Sequence, residues 1–374
     1  MFILRTEKYC KTFRLVTVLW LLVICGIANA RYTPLIEDSM GAPFRVRDYT
    51  FPSFLVLGFT PAPAAPLGRG RTATEFHYSI INDFQSSPEV EAYLKQNRNN
   101  SRRPLDAADV AFILGLPQGQ AYYIDGEFSM LEFAFHWGLT EKLDLGIGVN
   151  YIHYGGQLLD GVIFNFHDAV GVGQGGRDYV INDRVQVVLG RDNGQDIVML
   201  ERPSSGGLSD PSLFLRYALP DFARNWRSNV ELGLKPSLMA EDKFLSTGSW
   251  DVGIQLTVDR RFIRNSWIFN LGVVYPGEFK QTRFQPPNLP FINISWLHRF
   301  ERWTSTRSFV QTLLAEHPYH ELVDSELSEM EFQITAGLKW DTPAGTFGMG
   351  LTENILNFDN TPDVGLHFTW GVLK

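Results

Sequence analysis

Three stretches of the chain carry residue types that could do chemistry. His77-Tyr78-Ser79 offers an imidazole and a hydroxyl, the pairing of a base with a nucleophile. It lies in neither the His-x-Ser-Asn-Gly arrangement of membrane lipid hydrolases nor a Gly-x-Ser-x-Gly elbow. Glu316-His317-Pro318-Tyr319-His320-Glu321 offers two imidazoles and two carboxylates to a divalent ion. Pro318 prevents a helix that would aim both imidazoles together, so a solvated acidic loop is expected, with Asp324, Glu326 and Glu329 nearby. Asp160, His167 and Asp168, followed by Arg177, form the third set. Leu159, Ile163, Phe166 and Val170 share one helical face there, which suggests a loop folded back as a gate with polar groups at its mouth. The glycines of 171–176 have no lysine where a phosphate loop needs one. No cofactor, metal or catalytic residue is assigned from these patterns.

The elements that must position these residues are strands. Leu143, Leu145, Ile147, Val149 and Tyr151 alternate with Lys142, Asp144, Gly146, Gly148 and Asn150. Trp250 to Asp259 and Glu331 to Trp340 repeat the pattern. Successive side chains of a strand point to opposite faces, so each segment has one apolar face and one polar or small face. On that pattern His77 and Ser79 share a face as polar lumen or rim residues. The segments run about ten residues, longer than the usual five or six. Aromatics such as Trp137, Tyr151, Trp250, Tyr275, Trp296, Trp340 and Trp370 lie near their ends. Connections alternate between short turns (138–141, 220–226, 259–261, 301–305, 341–345) and longer loops (153–177, 238–248, 276–289, 317–329, 354–362). These features together predict an all-β fold: an antiparallel transmembrane β-barrel with short periplasmic turns and long external loops.

Twelve strands are expected: 72–84, 127–138, 142–152, 210–219, 227–237, 249–259, 262–275, 290–301, 305–315, 330–341, 345–353 and 363–372. A hairpin of 178–189 with 196–202 belongs either to the wall, raising the count to fourteen, or to an external loop. Residues 88–96 read as a short helix, and 31–60 are left without a place in the wall. Lys142, Asp144, Asn150, Asp251, Gln255, Glu331, Gln333 and Lys339 fall on the lumen side, and their mixed charge suggests water and a polar permeant.

The N-terminus has the zones of a secretory signal peptide. Arg5, Lys8, Lys11 and Arg14 precede the apolar run 15–27, and Ala28-Asn29-Ala30 is a cleavage site. Domains are therefore read as 1–30, the leader, and 31–374, the barrel. Both cysteines, Cys10 and Cys25, fall in the leader, so a disulfide framework is excluded from the mature chain. The formal net charge of −8 argues against nucleic acid as a partner. A mean hydropathy of −0.09 is compatible with strands that show lipid only alternate residues.

The last strand carries Asp363-x-Gly365-x-x-Phe368-x-Trp370, which resembles the signal read by the barrel-assembly machinery of Gram-negative bacteria. Four residues follow the final aromatic, a departure from barrels that end on it. Longer motifs recur along the chain. They are Gly155-Gly156-x-Leu158-Leu159-Asp160-Gly161-x-Ile163-x-x-Phe166-His167-x-x-x-Gly171 with Arg177, Gly207-Leu208-Ser209-Asp210-Pro211-Ser212-Leu213 with Arg216-Tyr217, Ser246-Thr247-Gly248 before Asp251, and Thr352-Glu353-Asn354 with Asp359-Asn360-Thr361-Pro362-Asp363. In these the chain resembles a family of proteobacterial envelope proteins classed only as a domain of unknown function. It is more distantly similar to outer-membrane barrels of the phenol-degradation and hydrocarbon-uptake type. The resemblance implies an envelope location and a barrel, and transfers no catalytic residue.

The expectation is an outer-membrane barrel, not an enzyme, acting as a passive channel or uptake pore for small solutes. The alternatives are a structural or assembly barrel without transport and, less favoured, a lipid hydrolase using Ser79 and His77. Outer-membrane lipid and lipopolysaccharide, the assembly machinery and a small permeant are the expected partners.

Overall fold

The structure is a computed structural model. It describes residues 43–374 except 99–100, 156–158, 172, 183, 192–195, 222, 224, 302–304, 320–325 and 355–359, and the side chains of 166, 167, 169 and 170. The leader with Cys10 and Cys25 lies outside the described residues.

Among the described residues, fifteen strands and three α-helices follow in order. They are β1 (Thr72–Ser86), α1 (Pro88–Arg98), α2 (Ala107–Leu114), β2 (Tyr122–Gly138), β3 (Leu143–Tyr154), α3 (Leu159–Val170), β4 (Val185–Leu189), β5 (Ile197–Met199), β6 (Gly207–Leu208), β7 (Ser212–Ala218), β8 (Trp226–Lys235), β9 (Asp251–Arg261), β10 (Asn265–Tyr275), β11 (Leu289–Arg299), β12 (Thr306–Ala315), β13 (Glu331–Thr342), β14 (Gly345–Glu353) and β15 (Val364–Leu373). Neighbours pair antiparallel from β1 through β2, β3 and β7 to β15. β15 then pairs back onto β1, from Ala73↔Leu373 to Asn82↔Val364, and closes the ring. The wall has twelve strands, each coinciding with an expected one. The hairpin β4–β5 extends the long-loop end of β2, through Tyr122↔Leu189 to Gly126↔Val185, and takes no part in closure.

Closure pairs every wall strand on both sides and removes the sheet edges. Burial then runs opposite to that of a soluble domain. On β9, Asp251, Gln255, Thr257 and Asp259 face inward and are at most 1 % exposed. Val252, Ile254 and Leu256 face outward at 49, 42 and 38 %. Leu145, Leu215, Leu271, Ile292, Met349 and Phe368 continue this apolar belt around the wall, and Trp137, Tyr151, Trp250 and Tyr275 stand exposed near strand ends. No described helix is long and apolar enough to cross a membrane.

The predicted lumen side holds for Asp144, Asn150, Asp251, Gln255, Glu331, Gln333 and Lys339, all buried. Lys142 departs from it: β3 begins one residue later, and Lys142 is exposed in the preceding turn. At the long-loop end, α1, α2 and the stretch 177–189 enclose a small second core of Phe84, Val90, Leu94, Leu105, Ile113, Tyr123, Tyr179 and Val188. α2 is fastened by a capping box between Asp106 and Asp109, and Arg98 pairs with Asp109 beneath it. The expected helix at 88–96 is α1.

Candidate functional site: a lumen closed by its own N-terminal hairpin

Twelve strands enclose more space than their inward side chains fill, since about eight suffice to make a packed interior. Residues 43–67 occupy that space. They enter at the short-turn end, where the Pro43 carbonyl accepts from Lys339 Nζ at 3.5 Å. Phe44 exchanges two backbone hydrogen bonds with the Gln311 amide, at 2.8 and 2.9 Å. Arg45 donates to Glu132 at 2.9 Å, and the Tyr49 hydroxyl meets Ser79 Oγ at 3.0 Å. The segment turns at 51–55 near the long-loop end, where Phe51 N donates to Asp83 and Phe54 packs on Phe128 with ring centroids 4.2 Å apart. It then descends. Leu57 N donates to Asp251, Ala64 N to Asp259 and Leu67 N to Asp144, the first two at 2.8 and 2.9 Å. Gly70 finally joins Gly138, and β1 begins. Both arms of this hairpin therefore emerge at the same end.

Among the described residues the hairpin has no ladder partner, so wall side chains take part of its backbone groups and others, such as Val46 N, Leu55 N and Val56 N, bond within the segment, as buried N–H groups require. Its aromatics need room, and inward glycines supply it. A Cβ on Gly253 would stand 2.7 Å from the Phe59 ring, and one on Gly233 2.8 Å from it. A Cβ on Gly348 would stand 2.7 Å from the Phe44 ring. Mixed charge on the inner wall suggests water; in the structure Asp144, Asp251 and Lys339 of that set bond to the hairpin.

Two buried polar nodes tie wall and outer loops together, and the first also reaches the hairpin through Asp251. At the first, Lys235 Nζ lies 3.3 Å from Asp210 Oδ2, 3.2 Å from Asp251 Oδ2 and 3.1 Å from Thr247 Oγ1. Asp210 also accepts from Leu238 N, Met239 N and Ser246 Oγ. The motifs Ser209-Asp210-Pro211 and Ser246-Thr247-Gly248, with Asp251, converge here. At the second, Arg177 reaches Asp160 at 3.1 Å and Asn82 at 2.7 Å, and it pairs with Asp363. Leu159 N and Asp160 N donate to Glu127 Oε2.

Of the proposed loop gate, Asp160 and Arg177 are thus brought together. Asp168 is exposed further along α3. The side chain of His167 lies outside the described residues. Leu159 and Ile163 are buried on one helical face. Of the proposed assembly signal, Asp363 sits at the Arg177 node and Gly365 faces inward, where a Cβ would be 2.9 Å from Ile81 Cδ1. Phe368 faces outward at 45 % exposure, and Trp370 stacks on Phe76 and donates to the Ala344 carbonyl at 3.0 Å.

His77 and Ser79 are both buried lumen residues, and they are not arranged as base and nucleophile. Ser79 Oγ meets His367 Nδ1 at 2.9 Å, and His367 Nε2 meets Thr352 Oγ1 at 2.8 Å. This chain connects wall strands to Tyr49 of the hairpin. The 316–321 stretch is not a solvated loop at its start, a second correction. His317 and Tyr319 are fully buried, His317 Nδ1 accepts from Tyr319 N at 3.1 Å, and burial pushes the His317 imidazole down to about 3. His320, Glu321 and Asp324 lie outside the described residues, and among the described residues no group of three His, Cys, Asp or Glu could hold a metal.

Sequence reasoning missed Phe44, Tyr49, Phe59 and Lys235. The available signals were the five aromatics within 44–59 of a segment lacking strand periodicity, and inward glycines beside inward aspartates.

Among solved structures, the COG4313 outer membrane channel of Pseudomonas putida F1 matches at 10 % identity. It covers 84 % of this chain and all of that chain, with a TM-score of 0.48. The toluene transporter TodX of P. putida matches at 8 % identity over 83 and 91 %, with a TM-score of 0.36. OccK1 (OpdK) of Pseudomonas aeruginosa matches at 10 % over 82 and 99 %, with a TM-score of 0.31. Likeness at these identities and scores carries nothing about what this chain handles. No curated protein matches the sequence. A family model described as a protein of unknown function (DUF3187) matches residues 104–372, well over half of the sequence, and the chain belongs to that family.

Proposed function

We propose that this protein is an outer-membrane channel for small solutes, closed at rest by its own N-terminal hairpin and exported to a Gram-negative outer membrane after cleavage of residues 1–30. The observation that carries the reading is chemical. The hairpin is held in a tube whose inner wall is polar. Asp83, Asp144, Asp251 and Asp259 each accept a backbone N–H from it. Apolar packing of similar volume would serve stability as well or better than buried charge. A polar wall, in contrast, hydrates readily once its occupant withdraws. The apolar outer belt supplies the lipid-facing surface, with lipopolysaccharide above it and the assembly machinery as the partner during insertion. The α3 loop, fastened by Asp160 and Arg177, acts as the outer gate, with His167 and Asp168 on the same helix.

A filled lumen also suits a structural barrel without transport, and one experiment separates the two. Deleting 43–67 leaves β1 and the closure of the ring, and heat-modifiable migration on a gel reports folding. In planar bilayers the deleted form should conduct well above the full chain. A folded, deleted barrel with no conductance would leave the structural reading.

A further inference from the structure

A cavity of about 120 Å³ opens between the two arms of the hairpin at the short-turn end. Its wall includes Arg45, Arg71, Arg216, Arg261 and Lys339, with Glu75 as the carboxylate among them. Glu75 stands 3.8 Å from Arg45 Nε, and the other acids that compensate these cations stand outside the lining. Arg45 meets Glu132 at 2.9 Å, Arg216 meets Glu231 at 2.5 Å and Arg261 meets Asp259 at 3.7 Å. A guanidinium carries five N–H donors in a fixed fork, more than one carboxylate takes, so a paired arginine still presents donors to a cavity beside it.

We infer that this cavity binds a small free oxyanion, a carboxylate or phosphate, between the arms of the hairpin. The volume holds such a group with a few waters, each taking about 30 Å³. Lys339 gives a point charge and the arginines give forked donors, the two modes by which proteins hold oxyanions. Pro61, Pro63 and Pro66 of the descending arm and Pro43 of the ascending arm also line the space, so an occupant touches both arms. Transport of such an anion rests on the channel reading above. Its binding does not.

The test uses the folded mature chain in detergent. Titration calorimetry is run with inorganic phosphate and with succinate, with glucose as the neutral control. Both anions should bind and glucose should not. Affinity should fall steeply toward about 1 M chloride, where the Debye length is about 3 Å. Lys339→Gln and Arg261→Gln should each weaken binding about tenfold or more, the loss expected for a charge-assisted hydrogen bond. Arg71→Glu, at the exposed rim, should weaken it several-fold. It keeps the test decisive if a buried variant does not fold. Absence of binding by the folded wild-type chain, or equal affinity in all folded variants, overturns the inference. So does displacement of phosphate by short-chain phosphatidylglycerol better than by phosphate itself, which would assign a lipid headgroup. Bilayer recordings in a salt gradient separate the two readings. Binding without conductance removes the channel and keeps the site. Conductance without binding removes the site and keeps the channel.

Discussion

Gly253 illustrates how much of the closed state rests on single inward positions. Its missing side chain admits the Phe59 ring from one side, and the carbonyl of Val273 lies 3.0 Å from where a Cβ would stand. Gly253→Val therefore has no room. Overpacking of this kind costs about 1–3 kcal/mol. The strain should fall on the hairpin, because the wall at that point is paired on both sides. The expected outcome is a folded barrel whose segment 43–67 becomes protease-sensitive, read by limited proteolysis from the short-turn side. Gly161, which has open space around it, is the control that should change nothing. His317 gives a prediction of a different kind. Its imidazole titrates near 3 when folded, against 6.5 as the ordinary value, because burial disfavours the charged form. Folding therefore excludes a proton that the unfolded chain binds. The stabilisation is fully present above about 6.5 and is lost progressively as pH falls toward about 3. His317→Asn should flatten the slope of unfolding free energy over that window relative to wild type. Parallel slopes for the two proteins would show that His317 is not buried neutral. Glu331, 3.6 Å away and also buried, is the carboxylate to watch in the same titration.

At the scale of elements, the wall could be read from the sequence and the hairpin could not. Period-two alternation over about ten residues fixes a strand and the face it buries. Trp250 to Asp259 and Glu331 to Trp340 accordingly fell on β9 and β13 to within one or two residues. Pro88 with Glu89 and Glu91 likewise marked the start of α1. Residues 43–67 have no such period. Their backbone is bonded to side chains such as Asp251 and Gln311, which lie about two hundred residues or more away in sequence. Nothing local encodes those partners. The nodes at Lys235 and Arg177 were visible only as separate motifs, and the fold alone brings Asp210 to Ser246 and Asp160 to Asp363. The last strand carries its own prediction. Phe368 points away from the lumen, so Phe368→Ala removes nothing that holds the hairpin. If β15 is the assembly signal, Phe368→Ala and Trp370→Ala should slow insertion in cells several-fold. The little protein that does insert should show wild-type heat-modifiability. Insertion at the wild-type rate in both variants would reduce Asp363, Gly365, Phe368 and Trp370 to an ordinary closing strand.

For the molecule as a whole, topology gives the proposed opening a direction. Both arms leave by the short-turn end, while the outer end is covered by α1, α2, α3 and the β4–β5 hairpin. The descending arm is continuous with β1, and β1 is locked between β2 and β15. On the proposed channel reading the ascending arm starts the release, leaving Lys339, Gln311 and Glu132 in turn. The turn at 51–55 follows, and the bonds at Asp251, Asp259 and Asp144 break last. The N-terminus is thus a handle, and traction on it unzips the hairpin without requiring the wall to separate. Single-molecule pulling from the N-terminus of the membrane-inserted chain checks this. Twenty-five residues should pay out as an early event of about 85 Å, at roughly 3.4 Å per residue, at forces below those that extract strands. The apolar contacts of Phe44, Tyr49 and Phe59 should appear as sub-steps inside it. If hairpin and wall instead yield in one cooperative rupture, the hairpin is a permanent core of the barrel. The polar wall behind it would then be a stabilising surface, not the lining of a pore.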